Sequence, residues 1–151
     1  MRRVTLIWIC LLIGLGGAAY VRLAPADLAR WHGDISSDIP ANVGPCIDQI
    51  TTTIGSARAV CQTLDSAITV LTKLDAIAVA TPRTTRLAGD PASGRITWVT
   101  RSALWGFPDY TTAQTTETPQ GSRLEIYARL RFGQSDFGVN AARLREWLTQ
   151  L

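Results

Sequence analysis

An unbroken apolar run from Val4 to Val21, preceded by Arg2 and Arg3, constrains this chain of 151 residues more than any other feature. No charged side chain interrupts it. At about 1.5 Å of rise per residue, a helix over the run is about 27 Å long, close to the roughly 30 Å of bilayer hydrocarbon. A cleaved signal peptide shares the basic start, but its apolar core runs about 7–15 residues and ends at a small-x-small site. Here the run is longer. Its best such site, Ala24-Pro25-Ala26, contains a proline, and Gly17 with Ala19 offers a weaker one. Tyr20 and Arg22 stand where a belt aromatic and a snorkelling cation belong. The pattern favours a retained anchor over residues 1–22, with a signal peptide as the alternative.

Charge then sets the orientation. Arg2 and Arg3 precede the run, whereas Arg22 is soon offset by Asp27 and Asp34. The positive-inside rule puts the N-terminus in the cytoplasm and the rest of the chain outside, which in a bacterium is a single-pass inner-membrane protein with a periplasmic domain. The formal net charge of +3 includes those two arginines and is too small to argue for a nucleic-acid partner. Cys10 lies inside the apolar run, while Cys46 and Cys61 fall in an oxidising compartment where thiol pairs tend to close. A bridge between them is worth about 3 kcal/mol in the chain-entropy model. The alternative is two small buried hydrophobes. There is no C-x-x-C, so no redox motif.

Composition divides the remainder. Residues 23–55 read as a linker rich in Pro and Gly, with one short helical turn from Ala26 to Trp31 and a second short helix started by Pro45. Ile47, Ile50 and Ile54 stripe that second helix until Gly55 ends it. Ser56 looks like the next cap, and Ala57, Val60, Cys61, Leu64, Ile68, Leu71, Leu74 and Ala78 recur at three- and four-residue steps, which predicts one amphipathic helix stopped by Thr81-Pro82. From there the period changes to two. Along Arg123 to Phe132, Leu124, Ile126, Ala128, Leu130 and Phe132 point one way, and Arg123, Glu125, Tyr127, Arg129 and Arg131 the other. Thr118-Pro119-Gln120-Gly121 turns this strand back onto a Thr-rich partner near 109–117. Further strands fall near 95–105 and at Thr84 to Ala88. A closing helix capped by Asn140 carries Leu144, Trp147, Leu148 and Leu151. The prediction is an α+β domain over 56–151, an antiparallel sheet of about four strands with both helices on its apolar face.

Several of these stretches resemble a known family. Ala80-Thr81-Pro82-Arg83-Thr84, Gly94 to Ser102, Gly106-Phe107-Pro108-Asp109-Tyr110 and Gly133-Gln134-Ser135-Asp136-Phe137-Gly138-Val139-Asn140 are similar to the bacterial domain of unknown function 1499. The likeness covers roughly residues 70–151, and Tyr20 to Pro25 with Arg30-Trp31-His32 resembles the lead-in of membrane-anchored members. The segment around Cys46 and Cys61 looks like an addition relative to shorter relatives. The resemblance implies a domain boundary and a fold; it implies no chemistry.

No catalytic or metal signature stands out. His32 is the only histidine, and it cannot complete a metal site with two distant cysteines or serve a nucleophile-elbow serine that the chain lacks. The glycines mark turns and match no phosphate-loop spacing, so no cofactor is expected. Asp109 and Asp136 are a conceivable carboxylate pair, but each fits a turn or helix start better. Trp98, Trp105 and Trp147 either fill the core or line an apolar cleft. The more suggestive set is Arg101, Arg129 and Arg131, with Tyr127 and Trp105 beside them, because guanidinium forks on an open sheet face match phosphate or carboxylate groups. Three expectations follow: a tethered binding module for an anionic lipid, cell-wall or protein partner; an envelope hydrolase or transferase using Asp109 and Asp136; or a scaffold subunit whose Gly14 and Ala18 pair its anchor with another helix.

Overall fold

The computed structural model describes residues 2–151. Helix α1 (Arg2–Leu23) contains the apolar stretch Val4–Leu23, none of which is buried by the rest of the protein. It is the one described helix long and apolar enough to cross a membrane, a property that signal sequences share. A four-residue helix α2 (Leu28–Trp31) follows, with Asp27 accepting from the N–H groups of Ala29 and Arg30.

The body of the protein is one sheet with two helices on one face. Its strands are β1 (Asn42–Val43), β2 (Ile50–Thr53), β3 (Ser56–Thr63), β4 (Thr84–Asp90), β5 (Arg95–Arg101), β6 (Pro108–Thr118) and β7 (Gly121–Leu130). Six of them run in the order β1-β3-β7-β6-β5-β4, and β2 also pairs with β3. All pairings are antiparallel except that of β1 with β3. The sheet is therefore wider than the expected four strands. The added strands are β1, β2 and β3, and the last of these, Ser56–Thr63, forms no helix but pairs along its whole length with β7. Ala57, Ala59 and Cys61 alternate into the core, whereas Val60, which with Ala57 and Cys61 mimics a helical stripe, is buried on the other face opposite Glu125. Leu64, assigned to that stripe, is exposed.

The true helix α3 (Ala67–Ala80) starts at Ser66, whose side chain accepts from the Thr69 N–H. With α4 (Val139–Thr149) it buries Val70, Leu71, Leu74, Leu144 and Trp147 against Ile96, Trp98, Leu124 and Ile126. Trp98 and Trp147 meet edge to face at 5.6 Å. The α4 cap is Gly138 at φ 81°; Asn140 lies inside the helix, and the cap carboxylate is that of Asp136. A short 3-10 turn (Cys46–Gln49) replaces the expected second helix, and its Cys46 is bonded to Cys61 in the core. Ile47 and Ile50 pack on that core, whereas Ile54 is exposed at the β2–β3 hairpin tip, where Gly55 turns at φ 76°. Strand β5 ends at Arg101, short of the expected 105, and residues 102–107 form a loop.

Candidate functional site

The helix-free face of the sheet carries the polar halves of the alternating strands. Arg95, Thr97 and Val99 of β5 stand opposite Gln114, Thr112 and Tyr110 of β6, which stand opposite Glu125, Tyr127 and Arg129 of β7. Arg58 of β3 completes the Tyr127 row. This face is not open, which corrects the expectation. Residues 24–38, read from sequence as linker, lie across it as a strap with Trp31 and Ile35 buried. Trp31 stacks on Tyr110 with centroids 4.1 Å apart.

The arginines hold that strap by its backbone. Arg58 donates to the carbonyl of Ile35, Arg95 to His32, Arg123 to Ser37, Arg129 to Trp31 and Arg131 to Ala24. Thr112 donates to the Trp31 carbonyl as well, and the His32 Nδ1 shares a 2.9 Å hydrogen bond with Thr97. A guanidinium presents several fixed donors and no acceptor, so a row of them suits a strand-like segment whose carbonyls lack partners. Glu125, buried on the same face, pairs with both Arg58 and Arg123 and accepts from the Ser37 N–H.

Positive charge is left over at the α2 end of the strap. A cleft of about 420 Å³ is lined by Arg30, Trp31, Gly55, Tyr127, Arg129 and Gln134, among others. Cations and rings alternate along it: Arg30 lies 4.8 Å from the Trp31 centroid, and Arg129 lies 5.2 Å from Trp31 and 5.0 Å from Tyr127; beyond the cleft, Arg58 lies 4.3 Å from Tyr127. The buried Nε of Arg129 has no hydrogen-bond partner. Burial, with the charges of Arg58 and Arg30, lowers the Arg129 pKa below the usual guanidinium range, while Tyr127 opposes the shift. Neither Arg30 nor Arg129 makes an ion pair among the described residues.

The expected arginine set is thereby divided. Arg129 and Tyr127 share this cleft, Arg131 turns to the Tyr110 hydroxyl and the Ala24 carbonyl, and Arg101 with Trp105 belongs to the β5 side of the face, two strands from β7 and beside the C-terminus of α1. Arg30 and Arg58 were not singled out from sequence. The signal for Arg58 was its place between the inward Ala57 and Ala59, visible only once 56–63 is read as a strand.

Asp109 and Asp136 meet in a different cleft, of about 370 Å³, next to the start of α4. Burial pushes the Asp109 carboxyl above its usual range against the pull of Arg143, whose Nη2 is 3.4 Å from Asp109 Oδ2, and the charge of Asp136 adds to the rise. Asp136 behaves oppositely: burial alone would raise it, but the N–H groups of Asn140 and Gly138 hold it below the usual range. Both carboxylates thus serve the helix start, directly or through Arg143, whose Nη1 donates to Asn140 at 2.7 Å. No group of three or more His, Cys, Asp and Glu side chains arranged to hold a metal occurs among the described residues.

An α+β domain with helices on one sheet face and its own arginine-held strap on the other is the class that this architecture defines. A family model described as a protein of unknown function, DUF1499, matches residues 39–151, and the chain belongs to that family. The match takes in the Cys46–Cys61 segment, which is thus part of the family's span. No curated protein matches the chain. Among solved structures, protein MLL2253 from Mesorhizobium loti is similar, at 12% identity and a TM-score of 0.48, over 63% of this chain and 94% of that one.

Proposed function

We propose that the protein is a membrane-tethered, extracytoplasmic module that binds an anionic group of the cell envelope, a phosphate or carboxylate, in the cleft lined by Arg30, Arg129, Trp31 and Tyr127. The observation that carries this reading is the buried Nε of Arg129, unpartnered among the described residues, in a cleft whose two cations, Arg30 and Arg129, pair with no acid among them. An anion seated there supplies the missing acceptor and relieves the repulsion among the arginines. The basic residues Arg2 and Arg3 at the start of the chain, ahead of the apolar stretch, and the Cys46–Cys61 bond both support an oxidising, extracytoplasmic location. The carboxylates Asp109 and Asp136 support a hydrolase or transferase less well, because each already has a structural partner.

The test is calorimetric titration of the full chain in detergent micelles with inorganic phosphate and with a carboxylate-bearing muropeptide. Arg30→Gln removes one exposed guanidinium without touching the strap hydrogen bonds. A charge-assisted contact is worth about 1.5–3 kcal/mol, so affinity for the bound probe is expected to fall about ten-fold or more. Binding of neither probe, or equal binding by R30Q, rejects the cleft as the site.

A further inference from the structure

On the β5 side of the strap face, two strands across from Arg129, three arginines with no acidic partner among the described residues gather beside the end of the apolar helix. Arg22, Arg83 and Arg101 line a cleft of about 490 Å³ together with Thr85 and Ser102. Each is held by a backbone carbonyl: Arg22 Nε donates to Trp105, Arg83 Nε to Arg101 and Arg101 Nη1 to Gly106. None of the three makes an ion pair among the described residues. Arg83 adopts φ 62°, a left-handed conformation uncommon for a residue with a Cβ, and it does so at the turn that brings it to Arg101.

The loop that supplies two of those carbonyls, Trp105 and Gly106, is apolar and exposed. Leu104 is 75% and Trp105 57% exposed, and Phe107 packs near Phe132, which in turn meets Tyr20 of α1 at 6.2 Å. Trp105 also closes an apolar groove of about 540 Å³ that runs down the anchor along Leu11, Gly14, Leu15 and Ala18. Trp105 therefore stands level with residues inside the apolar span, below Tyr20 and Arg22. The groove and the arginine cleft adjoin at Trp105-Gly106: one is apolar and runs at bilayer depth, the other is cationic and sits at the helix end.

We infer that this edge is a phospholipid site: residues 104–107 enter the bilayer interface, an acyl chain lies in the groove between α1 and Trp105, and the lipid phosphate sits among Arg22, Arg83 and Arg101. The inference rests on the retained anchor of the reading above but uses other residues, so it does not depend on the Arg30–Arg129 cleft. Tryptophan belongs at such an interface because its ring is apolar and its N–H seeks water. Three guanidinium groups without acids match a phosphate that cannot leave the membrane plane.

The experiment places the full chain, carrying Trp8→Phe, in nanodiscs whose lipids have brominated acyl chains. Trp31, Trp98 and Trp147 are buried in the protein, so Trp105 reports alone on lipid contact. In phosphatidylglycerol discs Trp105 is expected to be strongly quenched, with quenching absent when Trp105→Phe is added. R83Q/R101Q is expected to weaken the docked state at least about five-fold, following the usual contribution of one basic side chain at an anionic surface. In discs of a neutral galactolipid without phosphate, wild type is expected to behave like that variant. An unquenched Trp105, or equal docking with and without the two arginines or the lipid phosphate, overturns the site. Inorganic phosphate is the second arm. If its phosphorus resonance broadens with wild type in galactolipid discs and not with R83Q/R101Q, the ligand is a soluble phosphate and the lipid assignment fails. Titration of the Arg30 cleft on the same variant reads the other proposal separately.

Discussion

Arg129 donates through Nη2 to the carbonyl of Trp31 at 2.9 Å, although the two residues lie 98 positions apart in the chain. That contact joins the strap to the central strand β7, and the Trp31 ring packs on Tyr110 of the neighbouring strand β6. The polar face of the sheet is thus an internal surface at this point, and its arginines bind protein before they can bind anything else.

Trp31→Ala should detach the strap. The side chain is 4% exposed and stacked, and emptying such a site costs about 3–5 kcal/mol. Urea unfolding of the full chain in micelles gives the stability change, and limited proteolysis should cut within residues 24–38 well before the sheet is attacked. A variant as stable and as resistant as wild type would mean that the strap contributes nothing.

Loss of the disulfide should be felt through the core strand β3. Cys61 is fully buried and its bond to Cys46 spans a sequence separation of 15. Cys46→Ala with Cys61→Ala is expected to cost about 3 kcal/mol at neutral pH. Intact mass before and after alkylation establishes that wild type carries the bond, and the unfolding midpoint of the double variant checks the size of the effect.

Asp136 should stabilise the start of α4 in a pH-dependent way. Its folded pKa is depressed, so its contribution is present above the unfolded value, about 3.9, and is lost as pH falls through the lower folded value. Asp136→Asn should therefore cost about 1 kcal/mol near pH 7, as for other helix caps, and nothing once the wild-type carboxyl is protonated. Asp109 has the opposite sign: its raised pKa gives a contribution that is present at low pH and lost as pH rises through the folded value. Stability curves of D136N and D109N against pH should consequently diverge from wild type in opposite directions through the acid range.

Gly89 is the position in β4 where a side chain is least tolerable. It sits at φ 80° beside the β4–β5 register shift, and a Cβ there would lie 2.0 Å from the Arg95 carbonyl and 2.8 Å from the His32 ring. The main obstacle is backbone, which cannot swing away. Gly89→Ala should destabilise by about 1–3 kcal/mol and loosen the His32–Thr97 contact, visible as a shift of the His32 ring resonances. Unchanged resonances with unchanged stability would show that the edge strand adapts freely.

The strands from Thr84 onward were legible because two independent signals agree there. Alternation in Arg123 to Leu130 sets the faces, and the turns are written in residues with one suitable conformation: Asp90 and Ser93 cap each other, Gly94 takes φ 72°, and Gly121 takes φ 130°. Ser56–Thr63 carries a helical spacing in Ala57, Val60 and Cys61 and a strand spacing in Ala57, Ala59 and Cys61, and the pairing offered by β7 decides for the strand. Of the candidate residues, Arg129 and Tyr127 share a cleft with Arg30, which comes from a segment whose composition reads as linker, and Arg58 stacks on Tyr127 from the strand whose spacing also fits a helix.

The amino-acid sequence by itself determined the apolar helix, the period-two strands, the closing helix and the cysteine pair available for bonding, because each depends on local spacing or on composition. Only the tertiary structure decided that the arginine face is covered by residues 24–38, that Arg101 and Arg129 line different clefts on it, and that Trp105 stands beside α1. Those outcomes depend on which distant carbonyls find donors and which rings find partners, and such pairings between residues far apart in the chain leave no periodic trace.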